Sequence, residues 1–357
     1  MSIDTSASLA REALRRLRGS DLSPDEFLYE VSTRIRRVVP HDASAWLTLD
    51  PDTMLSSGTL VTEQPAEVLR DLWRNELLDG DVNKLTELAR LRSPVGAMSQ
   101  LDPASAAESP RLQLLHRPAG IGDELRVMFR TGRFVWGNAG LCREIGARPF
   151  DARERAFMAE VADEIALGLR HSLSRPAEPD LTDLTPGVVA YDAEGRLISE
   201  TADASRIIAV MPYDAATTLF SVAISALLRG SARTRVRLIN GRWLLLQGGR
   251  MQAIPPGSAH VAVSLTPALR ADLNSLRLRL HGLSAREREI AELLIRGART
   301  DELAAQLHIS RHTLRDHVKS IFAKVGARSR AELVALVSDQ PPPDSGTASL
   351  IREAGAA

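Results

Sequence analysis

Apolar residues recur at helical spacing near the end of the chain. Between Arg311 and Val325 they fall at Leu314, Val318, Ile321, Phe322 and Val325. These are positions i, i+4, i+7, i+8 and i+11, one face of a 3.6-residue helix. The opposite face carries His312, Arg315, Asp316 and Lys319. Ser310 stands at the N-cap, where its hydroxyl accepts from the free N–H groups of the first turn. A shorter helix before it starts at Thr300, with Asp301 and Glu302 where negative charge meets the positive helix end. Its stripe is Leu303, Ala304 and Leu307, and Ile309 fills the turn that follows. Ser284-x-x-Glu287 and Ser329-x-x-Glu332 read as capping boxes that open two more helices. Their stripes are Ile290, Leu293 and Leu294, then Leu333, Val334, Leu336 and Val337. Helices this short do not hold alone, so the pattern predicts a compact all-α domain.

Upstream the period changes. Ser23-Pro24 opens a helix with Phe27, Leu28, Val31, Ile35 and Val38 at core spacing. Ala43 to Leu49 reads as a strand. Leu69, Leu72, Trp73, Leu77 and Leu78 mark a middle helical stretch. Leu125, Val127 and Phe129 alternate, Thr131-Gly132 turns, and Phe134 to Leu141 returns as the second arm of a hairpin. Asp151-x-x-Glu154 then caps a helix carrying Phe157, Val161, Ile165 and Leu169. Ser172 to Thr185, with Pro176, Pro179 and Pro186 in or just past it, reads as a linker. Two further hairpins follow, one turning at Ala193-Glu-Gly195 and one at Asn240-Gly241. Helical segments lie between them across Ala204–Arg229, and Ala259 to Leu265 closes the sheet. Pro267 to Leu280 reads as a joining helix.

Length and charge sharpen this. A chain of 357 residues holds two or three domains. Its net charge is zero, so attraction to nucleic acid has to be local. Arg311 to Arg330 supplies it: six basic residues (Arg311, Arg315, Lys319, Lys324, Arg328, Arg330) against one acidic, Asp316, a local charge of +5. The single Cys142 forms no internal disulfide, which fits a reducing cytoplasm. No apolar run approaches a membrane span, and Met1 to Ser20 lacks the apolar core of a signal peptide. Leu14 and Leu17 between arginines suggest a short helix there with frayed ends.

Several other chemistries fall away. Gly120-Ile-Gly122 lacks the third glycine and the lysine of a phosphate loop and reads as a turn. His308, His312 and His317 have no cysteine beside them, and His312 and His317 lie on different sides of their helix, so no metal site is expected. Asp42, Asp50 and Asp52 do not form a phospho-receiver pattern. Cys142 reads as inert core. Trp46 and Trp73 read as core packing or as the lining of a ligand pocket. No nucleophile–base pair supports catalysis, so neither an enzyme nor a resident cofactor is expected.

Residues 282–338 resemble the DNA-binding domain of LuxR-type (LuxR/FixJ) transcriptional regulators. The matching pieces are Leu283-Ser-x-Arg286-Glu287-x-Glu289-Ile290, Gly297, Glu302-Leu303-Ala304, Ile309-Ser310-x-x-Thr313-Leu314-x-x-His317-Val318, Ile321-Phe322-x-Lys324-Val325-Gly326 and Arg328-Ser329-Arg330. One position departs from the pattern: His308 stands where the family usually has glycine. A left-handed backbone there costs a non-glycine residue roughly 1–2 kcal/mol. The order helix, antiparallel strands, closing helix in 22–173 is similar to a GAF-like sensory fold, and 187–266 to a PAS-like domain. Pro40-His-Asp, Trp46, Trp73, Asn75-Glu76 and Asp81-Val82-Asn83-Lys84 also resemble the N-terminal region of some LuxR-type regulators.

The resemblance implies a multidomain chain: α+β sensory domains over 22–173 and 187–266, a linker helix over 267–281, an all-α four-helix helix-turn-helix domain over 282–338 and a disordered tail over 339–357. Geometry and family pattern together put Arg315, Asp316 and Lys319 at base edges. They put Arg299, Thr300, Ser310, Arg311, Thr313, His317 and Lys324 at phosphates. The partners implied are double-stranded DNA, a second copy of the chain paired through the 331–337 helix or the sensory domains, RNA polymerase and a small-molecule effector. The competing reading is a small-molecule sensor whose C-terminal helices serve as a protein-interaction module.

Overall fold

The computed structural model describes residues 3–63, 66–175, 184–212, 214–252 and 260–338. The expected tail over 339–357 lies outside them. The chain divides at Pro267/Ala268 into two compact units.

The first unit begins with α1 (Ile3–Leu17), α2 (Pro24–Arg36), β1 (Ala43–Leu49), β2 (Ser56–Thr62), α3 (Ala66–Leu78) and α4 (Leu85–Leu88). It continues through β3 (Val95–Ala97), α5 (Pro103–Glu108), a π-helical turn Arg111–His116, β4 (Ile121–Thr131), β5 (Phe134–Glu144) and α6 (Ala152–Ser174). The strands form an antiparallel sheet in the order β2-β1-β5-β4-β3. Gly132, at φ +59°, makes the turn between β4 and β5, a backbone conformation that suits glycine. Asp151 accepts from the Glu154 N–H and the Glu154 carboxylate accepts from the Asp151 N–H, both at 2.9 Å. This reciprocal cap starts α6, which packs along β4. Phe157, Val161, Ile165 and Leu169 are all buried. α2 crosses α6 at Gly168, where a Cβ would collide with the Phe27 ring.

The N-terminal helix is not frayed. Ala7, Ala10 and Leu14 are buried, and Arg11 Nε meets Glu160 of α6 at 2.8 Å. Arg11 is thus a docking group, and Arg18 Nη1 also reaches α6, 3.4 Å from Glu164. α6 also runs to Ser174, past the point where a linker was expected to begin. Ser172 is 1% exposed.

The unit goes on with β6 (Gly187–Tyr191), β7 (Leu197–Glu200), α7 (Ala202–Ile208), α8 (Ala215–Arg229), β8 (Ser231–Arg237), β9 (Trp243–Met251) and β10 (His260–Pro267). A second antiparallel sheet has the order β7-β6-β10-β9-β8. Its topology repeats that of the first sheet. The Asn240-Gly241 turn joins β8 to β9 with Gly241 at φ +81°. The alternation of β10 is regular, with Val261, Val263 and Leu265 buried and the residues between them half-buried.

The two sheet lobes are fastened together. Arg235 on β8 donates from Nε and Nη2 to the Asp50 carboxylate at 2.8 and 2.7 Å, and from Nη2 to Asp52 at 2.5 Å. Asp50 and Arg235 are both buried. Ser56 and Thr218 hydroxyls meet at 3.0 Å, and Thr234 Oγ1 donates to the Ser56 carbonyl at 3.1 Å. Arg237 donates to the carbonyls of Ser172, Leu173 and Arg175 at 2.9, 2.6 and 2.9 Å. A cation there satisfies the orphan acceptors at the end of α6. Leu69, Trp73 and Leu85 of the first lobe share one apolar cluster with Phe220, Val222 and Leu246 of the second.

The second unit is all-helical: α9 (Arg270–Leu280), α10 (Ala285–Ile295), α11 (Thr300–Gln306), α12 (Arg311–Val325) and α13 (Arg330–Ser338). Leu278, Leu283, Ile290, Leu294, Leu303, Leu307, Leu314, Ile321, Val325 and Leu333 form its core. Every helix contributes at least one side chain to it. The molecule is thus a multidomain α+β chain that ends in a helical domain.

Candidate nucleic-acid interface

α11, a tight turn and α12 form a helix-turn-helix. Ser310 starts α12: its Oγ accepts from the Thr313 N–H at 3.0 Å and lies 2.8 Å from the Thr313 hydroxyl. Gly326 ends it in the left-handed region, at φ +77°. The turn before α12 forces His308 to φ +52°, the conformation for which the family pattern supplies glycine. The Ile309 N–H donates to the Ala304 carbonyl at 3.1 Å and closes the corner. Ala304 is buried. A small residue there lets the two helices cross closely.

The inner face of α12 is apolar. Leu314, Ile321 and Val325 are buried, and Val318 and Phe322 are half-buried against the same core. The outer face carries Arg311, His312, Thr313, Arg315, Asp316 and Lys319, all exposed. Arg315 and Lys319, one turn apart, meet no hydrogen-bond or ion-pair partner among the described residues. Asp316 lies 3.1 Å from His312 Nδ1, with both side chains well exposed. Arg299 is exposed at the N-terminus of α11, and His317 is half-buried. Thr300 begins the α11 backbone, but its side chain lies outside the described set.

Lys324, expected at a phosphate, has a partner within the domain. Its ammonium donates to both carboxylate oxygens of Glu287, at 2.7 and 2.8 Å, while its side chain stays 40% exposed. Glu287 also accepts from the Ser320 hydroxyl at 2.6 Å and from the Ser284 backbone N–H at 2.6 Å. Burial alone would raise the Glu287 carboxyl, but the bonds from Lys324, Ser320 and Ser284 outweigh it and bring its pKa down to about 2. Lys324 thus ties α12 to α10.

Three roles went unseen in the sequence. Glu287 read only as the far half of a capping box, yet it is the hub that joins α10 to α12. Arg330, counted with the positive cluster, donates from Nη1 to the Ala298 carbonyl at 3.0 Å and from Nη2 to the Leu294 carbonyl. It closes the end of α10. Arg286 similarly reaches the Leu307 carbonyl at the end of α11. A signal was present, since Arg286, Glu287, Lys324 and Arg330 all belong to the matched family pieces. Nothing in their spacing separates bracing from binding. Among the described residues no helix is long and apolar enough to cross a membrane.

Comparison with known proteins agrees with this geometry. Residues 281–337 match the model for bacterial regulatory proteins of the luxR family. The spore germination protein GerE of Bacillus subtilis is 40% identical over 52 residues, which is 15% of this chain and 70% of that protein. The response regulator RamR of Streptomyces coelicolor is 40% identical over 55 residues, 15% of this chain but only 27% of that protein. Among solved structures, Escherichia coli SdiA aligns with 93% of this chain and 97% of its own length, at 13% identity and a TM-score of 0.36. The chain belongs to the luxR family of bacterial regulatory proteins, and its C-terminal helices are that family's DNA-binding helix-turn-helix.

Proposed function

We propose that α12 lies in the DNA major groove and reads sequence there through Arg315, Asp316 and Lys319. Arg and Lys donate to guanine O6 and N7, and Asp accepts from cytosine N4. Arg299, Thr300, Ser310, Arg311, Thr313 and His317 hold phosphates, which sets register and affinity without reading bases. The observation that supports this most is the pair of exposed cations Arg315 and Lys319, without a partner among the described residues, opposite the buried Leu314 and Ile321.

The protein acts as a homodimer, paired through α13 or through the N-terminal unit, on two half-sites about 10 bp apart. The N-terminal unit (a GAF-like domain over 22–173 and a PAS-like domain over 187–266) senses a small-molecule effector. The regulator works in the cytoplasm, where it controls transcription by RNA polymerase and catalyses no reaction.

Selection of bound fragments from a random duplex library by the full chain tests this. A motif with two related half-sites is expected. Retention of every sequence alike, or no retention at low salt, defeats the reading; the second result would favour C-terminal helices that dock on protein.

A further inference from the structure

The outer face of α12 carries one acid among its cations and hydroxyls. Asp316 is the single carboxylate between Arg311 and Arg330. In a major groove it is flanked by phosphates, and the guanine and thymine edges offer it hydrogen-bond acceptors and no donor. Burying a charge there costs a great deal unless the charge is paired.

The structure shows which side chain meets it. Lys319 stands three positions on, within reach along a helix, and Arg315 stands beside it, yet neither engages the carboxylate among the described residues. His312, one turn earlier, does: its Nδ1 lies 3.1 Å from Asp316 Oδ2. The second oxygen, Oδ1, has no partner among the described residues. The two side chains are 82% and 66% exposed, and an ion pair so exposed adds little to stability. Folding therefore gives no reason for the pair. Its effect is to occupy the carboxylate while leaving Arg315 and Lys319 open.

Docking changes the balance. As α12 enters the groove water leaves the pair, and the attraction within it strengthens as the local dielectric falls. Tied to His312, Asp316 also enters in one pose, so less side-chain freedom is lost on binding.

We propose that His312 is the positioning residue for base reading by Asp316: it anchors one carboxylate oxygen, presents the other to a cytosine amino group and supplies the counter-charge that lets the acid enter the groove. This deepens, and rests on, the assignment of Asp316 to a base edge. A pH dependence follows. Histidine changes charge between pH 5 and 8, and the imidazolium is the form that neutralises Asp316. Docking takes up a proton, so affinity falls as pH rises through that range. The ring is covered by no other element among the described residues, and the charged or titratable groups within a turn of it are His308, Arg311, Arg315 and Asp316. The two arginines oppose the imidazolium; Asp316 and the DNA phosphates favour it.

Competition binding of the full chain to the selected duplex and to its single-base variants tests this, with Asp316→Ala marking the base pair that Asp316 reads. His312→Ala is expected to cut discrimination at that base pair about five-fold or more, with other positions within about two-fold of the parent and the melting temperature unchanged. In an Asp316→Ala background the same substitution is expected to have no effect. His312→Gln keeps an N–H donor that can reach Asp316 but carries no charge. It is expected to recover discrimination and to flatten the fall in affinity between pH 6 and 8, a loss that belongs to His312 because His308 and His317 remain. Uniform weakening across the panel would make His312 a phosphate contact, and an undiminished effect without Asp316 would sever the two. Either result, unchanged discrimination in His312→Ala, or an unchanged pH slope in His312→Gln overturns the assignment while base reading by Asp316 stands. A flat panel for Asp316→Ala itself overturns both.

Discussion

At the residue scale the interface splits into side chains that face outward and side chains that brace the domain. Arg315 belongs to the first kind. Arg315→Ala is expected to relax sequence preference and cost about 1–3 kcal/mol of discrimination at its base, as read by binding to a panel of single-base variants of the selected site. Lys324 belongs to the second. Lys324→Ala leaves a buried carboxylate short of its donor and is expected to lower stability by about 1–3 kcal/mol in a urea melt. The slope of log affinity against log salt should stay where it is. A lost phosphate contact would flatten that slope by about 0.9, so the same variant decides between the two roles. His308→Gly relieves a left-handed backbone and is expected to raise stability by about 1 kcal/mol. A melting temperature at or below the parent's would count against strain at that turn.

At the element scale, helices and hairpins were legible because each rests on a period or a turn that one stretch of sequence contains. α12 begins at Arg311 and ends at Val325, as its apolar stripe and Ser310 require. The Glu287 tie was not legible, since Ser320 and Lys324 stand more than thirty positions away. That tie gives the C-terminal helices a pH dependence. The Glu287 carboxyl is depressed in the folded protein, from an ordinary value near 4.5 to about 2. Between those values the unfolded chain binds the proton that the folded chain refuses. The contribution is therefore whole above about pH 4.5 and lost as pH falls toward 2. Melts of the parent and of Glu287→Gln from pH 6 to 2.5 should converge at the acid end. Parallel curves across that range would remove Glu287 as the cause.

At the scale of the whole molecule, the sequence reading separated two sheet-bearing stretches at a proline-rich segment, and each stretch did form its own sheet. It had no way to reveal that they fold as one body. The Asp50–Arg235 pair joins residues 185 positions apart, and neither stands in a pattern that announces a mate. Arg235→Ala strands Asp50 in a buried setting and is expected to cost about 3–5 kcal/mol in the N-terminal unit, splitting a single calorimetric transition into two. One undivided transition in that variant would mean the shared apolar cluster suffices to hold the lobes together.

The clasp also bears on how such a protein can be recombined. A chimera that takes its first lobe from one relative and its second from another inherits half of a lock. Unless Asp50 and Arg235 travel together, each graft exposes a carboxylate or a guanidinium to a neighbour never selected to receive it. Shuffling within this regulator is therefore tolerated at the Pro267/Ala268 boundary long before it is tolerated at the proline-rich stretch that looks, to the eye, like the easier place to cut.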